Sequence, residues 1–159
     1  MEAQTSTKSG VSKESGGSRR IQYSTFYVAK RLYGIDVTRV QEVVRPMTTT
    51  KIPLAEQFVH GLINLRGQVV TALSLHDLFS LKDKAPAELM NVICKADGAL
   101  ISLLVDEIGD VVELDSDDFE QTPHTIPEGV RRFMTRVYKV GDNLLSILDV
   151  DKIFQALNG

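Results

Sequence analysis

The chain has a single cysteine, no tryptophan and only five prolines in 159 residues. One cysteine excludes an intrachain disulfide and every C-x-x-C arrangement. Cys94, in Val92-Ile93-Cys94, reads as an inert, buried small hydrophobe. Long apolar runs are missing too. The longest, Ala99 to Val105, is interrupted by Ser102 and falls far short of the roughly 20 residues that span a bilayer. The opening stretch, MEAQTSTKSGVSKESGGSRR, lacks the apolar segment of a signal peptide. These absences lead to the expectation of a cytoplasmic protein with no direct membrane insertion. A net charge of -3, with no Lys/Arg cluster, argues against a nucleic-acid partner.

Signatures of chemistry are equally scarce. No G-x-G-x-x-G follows a strand, and there is no phosphate loop, H-E-x-x-H or G-x-S-x-G elbow. His60, His76 and His124 are too dispersed to suggest a metal site and are expected at the surface or in turns. The run Asp115-Ser116-Asp117-Asp118 begins like a calcium loop. It then places Phe119 and Glu120 where an oxygen ligand and glycine belong. A capped, acidic start to a short helical turn is the better reading. A hydrolase would have to rely on Cys94 or His76. No catalytic residue, metal or cofactor is expected.

What is present is a series of short apolar segments separated by turn signals. Residues 1–20 are polar and read as a flexible tail, followed by one domain over 21–157. Ile21–Ala29 and Leu32–Val37 read as a hairpin turning at Lys30-Arg31. Val37, Val40, Val43 and Val44 suggest two helical turns ended by Pro46, although their β-branching also permits an extended end. Gln68–Leu75 reads as a strand and 81–89 as a loop. Met90–Lys95 and Ala99–Val105 pair across Asp97-Gly98, a dipeptide suited to tight hairpins. Asp110–Leu114 is a further strand, and Asp115–Ile126 a long connection. Arg136–Val140 pairs with Leu144–Leu148 across Gly141-Asp142-Asn143. Val150–Leu157 is a closing helix capped by Asp149 or Asp151. Many short strands without long alternating helices indicate a sandwich or small barrels.

The stretch Val59-His60-Gly61-Leu62-Ile63-Asn64-Leu65-Arg66-Gly67-Gln68-Val69-Val70 resembles the V-x-G-[VI]-[IV]-N-L-R-G-x-[IV]-[VI] signature of the CheW family of bacterial chemotaxis coupling proteins. Tyr33–Val44 and Leu103–Val112 are similar to two other family blocks, in the same order and spacing. With Leu144–Phe154, the resemblance covers roughly 21–157. Thr71, Ser74 and His76 depart from the proline, aspartate and arginine that family members often carry there.

The resemblance implies a mainly β fold of two packed five-stranded, Src-homology-3-like small barrels with short helices. It implies a non-catalytic adaptor between the regulatory domain of a CheA-type histidine kinase and the cytoplasmic tip of methyl-accepting chemoreceptors. Such an adaptor is recruited to membrane-associated arrays. A related kinase pathway controlling twitching, development or second messengers is the alternative. Val37, Val40 and Val43, with Ile108 and Val111, are positioned by the resemblance to line an apolar groove, unless they are core. Glu42 and Arg66 would be polar rim contacts. Gly61 and Gly67 are expected to permit bends around the Asn64-Leu65-Arg66 unit, with Asn64 bonding its own backbone. Arg66 is suited to a carboxylate, either on Glu42 or on a partner.

Overall fold

The computed structural model describes residues 18–158. Of the expected tail, 1–17 lie outside the described residues, whereas Arg20 is already in a strand and pairs with Asp115. Among the described residues ten strands follow in order: β1 (Arg20–Val28), β2 (Arg31–Asp36), β3 (Val40–Val44), β4 (Val59–Leu65), β5 (Gln68–Ser74), β6 (Met90–Ala96), β7 (Ala99–Val105), β8 (Glu107–Asp115), β9 (Met134–Val140) and β10 (Asn143–Leu148). Among the described residues three α-helices are interspersed: α1 (Leu75–Leu78), α2 (Glu128–Arg131) and α3 (Val150–Asn158).

The strands form two five-stranded sheets, β9-β10-β2-β1-β8 and β3-β6-β7-β5-β4. In each, two antiparallel hairpins meet through one parallel pairing, β10 with β2 and β5 with β7. Each sheet curls until its edges meet. After β8, Glu120 bridges to Val137 of β9; after β3, Thr50 bridges to Leu62 of β4. These single bridges complete two small barrels. The second barrel, β3 to β7, is continuous in sequence and lies between β2 and β8 of the first.

Side-chain alternation sends successive residues of one strand into different cores. Leu32 of β2 and Tyr23 of β1 enter the first barrel with Tyr138, Leu145 and Ile147. Ile93 of β6 and Leu104 of β7 enter the second with Ile63, Val70 and Ala72. The opposite faces meet in a third and larger cluster. There Phe26, Tyr33 and Ile35 of one sheet join Val92, Cys94, Ile101 and Leu103 of the other. Phe79, Phe133 and Ile153 close its ends. Sheets buried on both faces need near-continuous apolar strands, which accounts for Ala99–Val105 and Leu144–Leu148.

The hairpins have two-residue turns. Ala29-Lys30, Arg66-Gly67 and Asp97-Gly98 all take positive φ at both positions, matching the twist of the flanking strands. Asp149 caps α3, its carboxylate accepting from the backbone N–H of Asp151 and Lys152 at 3.0 and 3.2 Å.

Several expectations need correction. The β9–β10 turn is Gly141-Asp142 alone, with Asn143 already in β10 and paired with Val140. Val37–Val44 is a 3₁₀ turn (Val37–Arg39) followed by strand β3. Valine spacing fits either element over so short a run, and pairing with β6 decides for the strand. The first turn is Ala29-Lys30 rather than Lys30-Arg31. The segment after Asp115 is no helical start. The Asp115 carboxylate accepts from the Asp117 backbone N–H at 2.8 Å, an Asx turn that directs the chain back toward β9. Leu75 begins α1 instead of ending a strand, because the Ser74 hydroxyl accepts from the Asp77 N–H and caps a helix there.

Because one cluster serves both sheets, Leu103→Ala is expected to cost about 2–5 kcal/mol. Denaturant unfolding followed by tyrosine fluorescence and by far-ultraviolet dichroism should move as one coincident transition. Separated transitions would mean that the barrels unfold independently.

Candidate partner-binding site

Arg66 occupies the tip of the β4–β5 hairpin. Its φ is 51°, in the left-handed region that disfavours residues with a Cβ. Gly67, at φ 89°, takes the second position. The Asn64 carboxamide oxygen accepts from the Gly67 backbone N–H at 2.7 Å and fastens the turn. An asparagine or glycine in place of Arg66 would suit this backbone better.

The Arg66 guanidinium donates to the Glu42 carboxylate on β3. Arg66 is 67% and Glu42 29% exposed in their side chains. The contact spans the edges of the second barrel, on the same seam as the Thr50–Leu62 bridge. The bond from Arg66 is the chief cause holding the Glu42 carboxyl below its usual range. The pair's contribution is thus present above the titration range of a free carboxylate and is lost as pH falls through Glu42's lowered value. Solvent screening at so exposed a site keeps that contribution small.

Gly61 has a different role from the one expected. It lies inside β4, beside a register shift, and not in the Asn64–Gly67 turn. A Cβ there would sit 2.6 Å from the Thr50 carbonyl oxygen. That oxygen accepts from the Leu62 N–H at 2.7 Å, so Gly61 is what lets the closing bridge approach.

The apolar candidates divide between wall and surface. Val40 and Ile108 are half-buried against the shared core. Val37, also half-buried, opens the 3₁₀ turn, which Asp36 caps by accepting from the Thr38 N–H at 2.9 Å. Val43 and Val111 face solvent, 39% and 59% exposed. They lie on β3 and β8, the edge strands whose extensions close the two barrels.

Several contacts escaped sequence reasoning. Arg39 donates to Asp151 of α3 at 2.6 and 3.2 Å and to the Lys95 carbonyl at 3.0 and 2.9 Å. It thereby ties the closing helix to β6. Arg136 donates to the Ser116 carbonyl at 2.6 Å and lies 4.8 Å from the centroid of the half-exposed Phe119 ring. The first barrel therefore also has an arginine at its seam. His76, expected at the surface, is 4% exposed and bonded to Asp106, whereas His60 is half-buried and His124 exposed. Cys94 is fully buried, and burial pushes its thiol up to about 12. Among the described residues no group of three or more His, Cys, Asp or Glu is arranged to hold a metal ion. Among them, too, no helix is long and apolar enough to cross a membrane.

Two seam-closed barrels around one core, with charged and apolar side chains displayed at the seams, define a double-barrel scaffold. The CheW-like domain profile matches residues 22–158, and the chain belongs to that family. It is 28% identical over 142 residues to the chemotaxis protein CheW of Treponema pallidum, covering 86% of this chain and 84% of that protein. To its counterpart in Klebsiella aerogenes it is 26% identical, covering 92% and 89%. Among solved structures, the scaffolding protein TtCheW of Thermoanaerobacter tengcongensis superposes with a TM-score of 0.76 at 28% identity, covering 86% and 88% of the two chains. The role these relationships support is that of a chemotaxis coupling adaptor.

Arg66→Asn should leave the melting temperature within about 2 °C of wild type or above it, because asparagine accepts the left-handed turn. Gly61→Ala should cost about 1–3 kcal/mol in chemical denaturation through its clash with Thr50.

Proposed function

We propose that this adaptor joins the regulatory domain of a CheA-type histidine kinase to the cytoplasmic tip of methyl-accepting chemoreceptors, catalysing no reaction itself. It would act in the cytoplasm, recruited to membrane-associated receptor arrays. The observation that carries this reading is Arg66. A long cation is held in an unfavourable backbone conformation at an exposed hairpin tip. A screened surface pair with Glu42 is too small a return in stability to account for it.

A guanidinium already oriented by one carboxylate still has donors to offer a second. Val43 follows Glu42 in β3 and is exposed on the opposite face of the strand, where it is proposed to supply apolar area. An amphipathic receptor helix fits such a surface, apolar anchors first and charge setting orientation. Val37, Val40, Ile108 and Val111 are proposed to extend the apolar area. Each contact is modest alone, and assembly into arrays strengthens them through linked binding.

The test is a titration of wild type and Arg66→Glu with a CheA-type regulatory domain, then with a soluble receptor-tip fragment. Wild type should bind both together. Arg66→Glu, with an unchanged melting profile, should lose about tenfold or more toward one of them. Failure of folded wild type to bind either partner would reject the coupling assignment.

A further inference from the structure

Asp106 forms the link between the last strand of the second barrel and the first returning strand of the other. Its two carboxylate oxygens are divided between the barrels. One accepts from the Ala29 backbone N–H at 2.9 Å, in the β1–β2 turn where Ala29 and Lys30 both take positive φ. The other lies 2.8 Å from Nε2 of His76 on α1. The remaining ring nitrogen, Nδ1, faces the Asp83 carbonyl oxygen at 3.3 Å. His76 is almost completely buried, and Asp106 is 17% exposed in its side chain. Asp83 belongs to the strap of residues 81–89, which helps wall a cavity of about 610 Å³ that His76 also lines.

Both nitrogens of this imidazole therefore meet an acceptor. A neutral ring carries one N–H and can satisfy only one of them. With Nε2 donating to the Asp106 carboxylate, a neutral Nδ1 would present its lone pair to the Asp83 carbonyl. The doubly protonated ring donates to both. The other titratable or charged groups lining this cavity are Asp77 on α1, His60 on β4, and the side chains of Asp83, Lys84 and Glu88 on the strap.

We propose that His76 is a protonation-dependent latch, which holds the 81–89 strap against the barrel junction when the ring carries both protons and releases it at Asp83 when one is lost. Histidine is the side chain suited to such a switch near neutral pH. The Asp106 bond persists in either state, so the barrels stay joined while the strap gains freedom and the cavity opens. The latch is independent of the partner assignment, because it is a property of the isolated chain.

The test is nuclear magnetic resonance of the full chain from about pH 5.5 to 8. Ring nitrogen shifts report the protonation of His76, and amide shifts and relaxation report residues 82–88. Trypsin cleavage after Lys84 measures release of the strap, each rate being referred to that of His76→Arg at the same pH. The expected result is a strap transition that follows the His76 titration, with cleavage rising about tenfold relative to His76→Arg. In the arginine variant, strap order should not follow pH in this range. A titrating ring with an unresponsive strap would overturn the latch. So would a ring that keeps one protonation state throughout, or a strap transition that survives in His76→Arg. Should His76→Arg fail to fold, the wild-type ring and strap titrations decide the matter by themselves.

Discussion

The apolar layer shared by the two sheets is the constraint from which the other features follow. Phe26, Tyr33 and Ile35 on one side, and Val92, Ile101 and Leu103 on the other, remove from water the faces that each small barrel would otherwise leave exposed. Each barrel's own interior is modest by comparison, built on residues such as Tyr138 and Leu145 in the first and Ile63 and Val70 in the second. Small cores of that kind give marginal stability alone. With both sheet faces committed to burial, polar and exposed side chains concentrate at strand edges, turns and connections.

The seams between edges are accordingly where exposed charged and apolar side chains are displayed. Each barrel is completed by one backbone bridge with an arginine nearby: Arg66 with Glu42 in the second, Arg136 with Ser116 and Phe119 in the first. The correspondence is topological. In both barrels an edge strand is followed in the sheet by an antiparallel hairpin, a parallel pairing and a second hairpin. Paired edges protect the chain from adventitious strand addition. They also fix the exposed side chains on rigid backbone, the condition under which modest contacts become selective.

Most strands were legible because turn chemistry is local. Asp97-Gly98 and the run of apolar residues after it were sufficient to locate one hairpin. Val37–Val44 was not legible as a strand, since valines at this spacing satisfy a helix period and only the pairing with β6 distinguishes the two. The N-L-R-G unit drew attention to Arg66, and Glu42 emerged as its partner. Gly61 was singled out for the wrong reason. Its necessity comes from the Thr50 carbonyl, eleven positions earlier in the chain, and a contact of that kind leaves no local mark. His76 was misjudged because its partner, Asp106, lies 30 positions later and is brought to it only by the fold across the barrel junction.

The order of strands along the chain has a consequence for how the molecule is made. The second barrel is one uninterrupted stretch, whereas the first needs β2 to pair with β10, near the opposite end of the described chain. During synthesis, β1 and β2 emerge well before β10, and β2 waits for that partner until β10 has left the ribosome. Pairings so distant in sequence are slow to form, and their unmatched strands are open to wrong partners meanwhile. The inserted barrel can fold first and offer its Val92, Ile101 and Leu103 face as a template on which the waiting hairpin rests. In this architecture the inserted barrel acts as a folding platform for the strands that flank it.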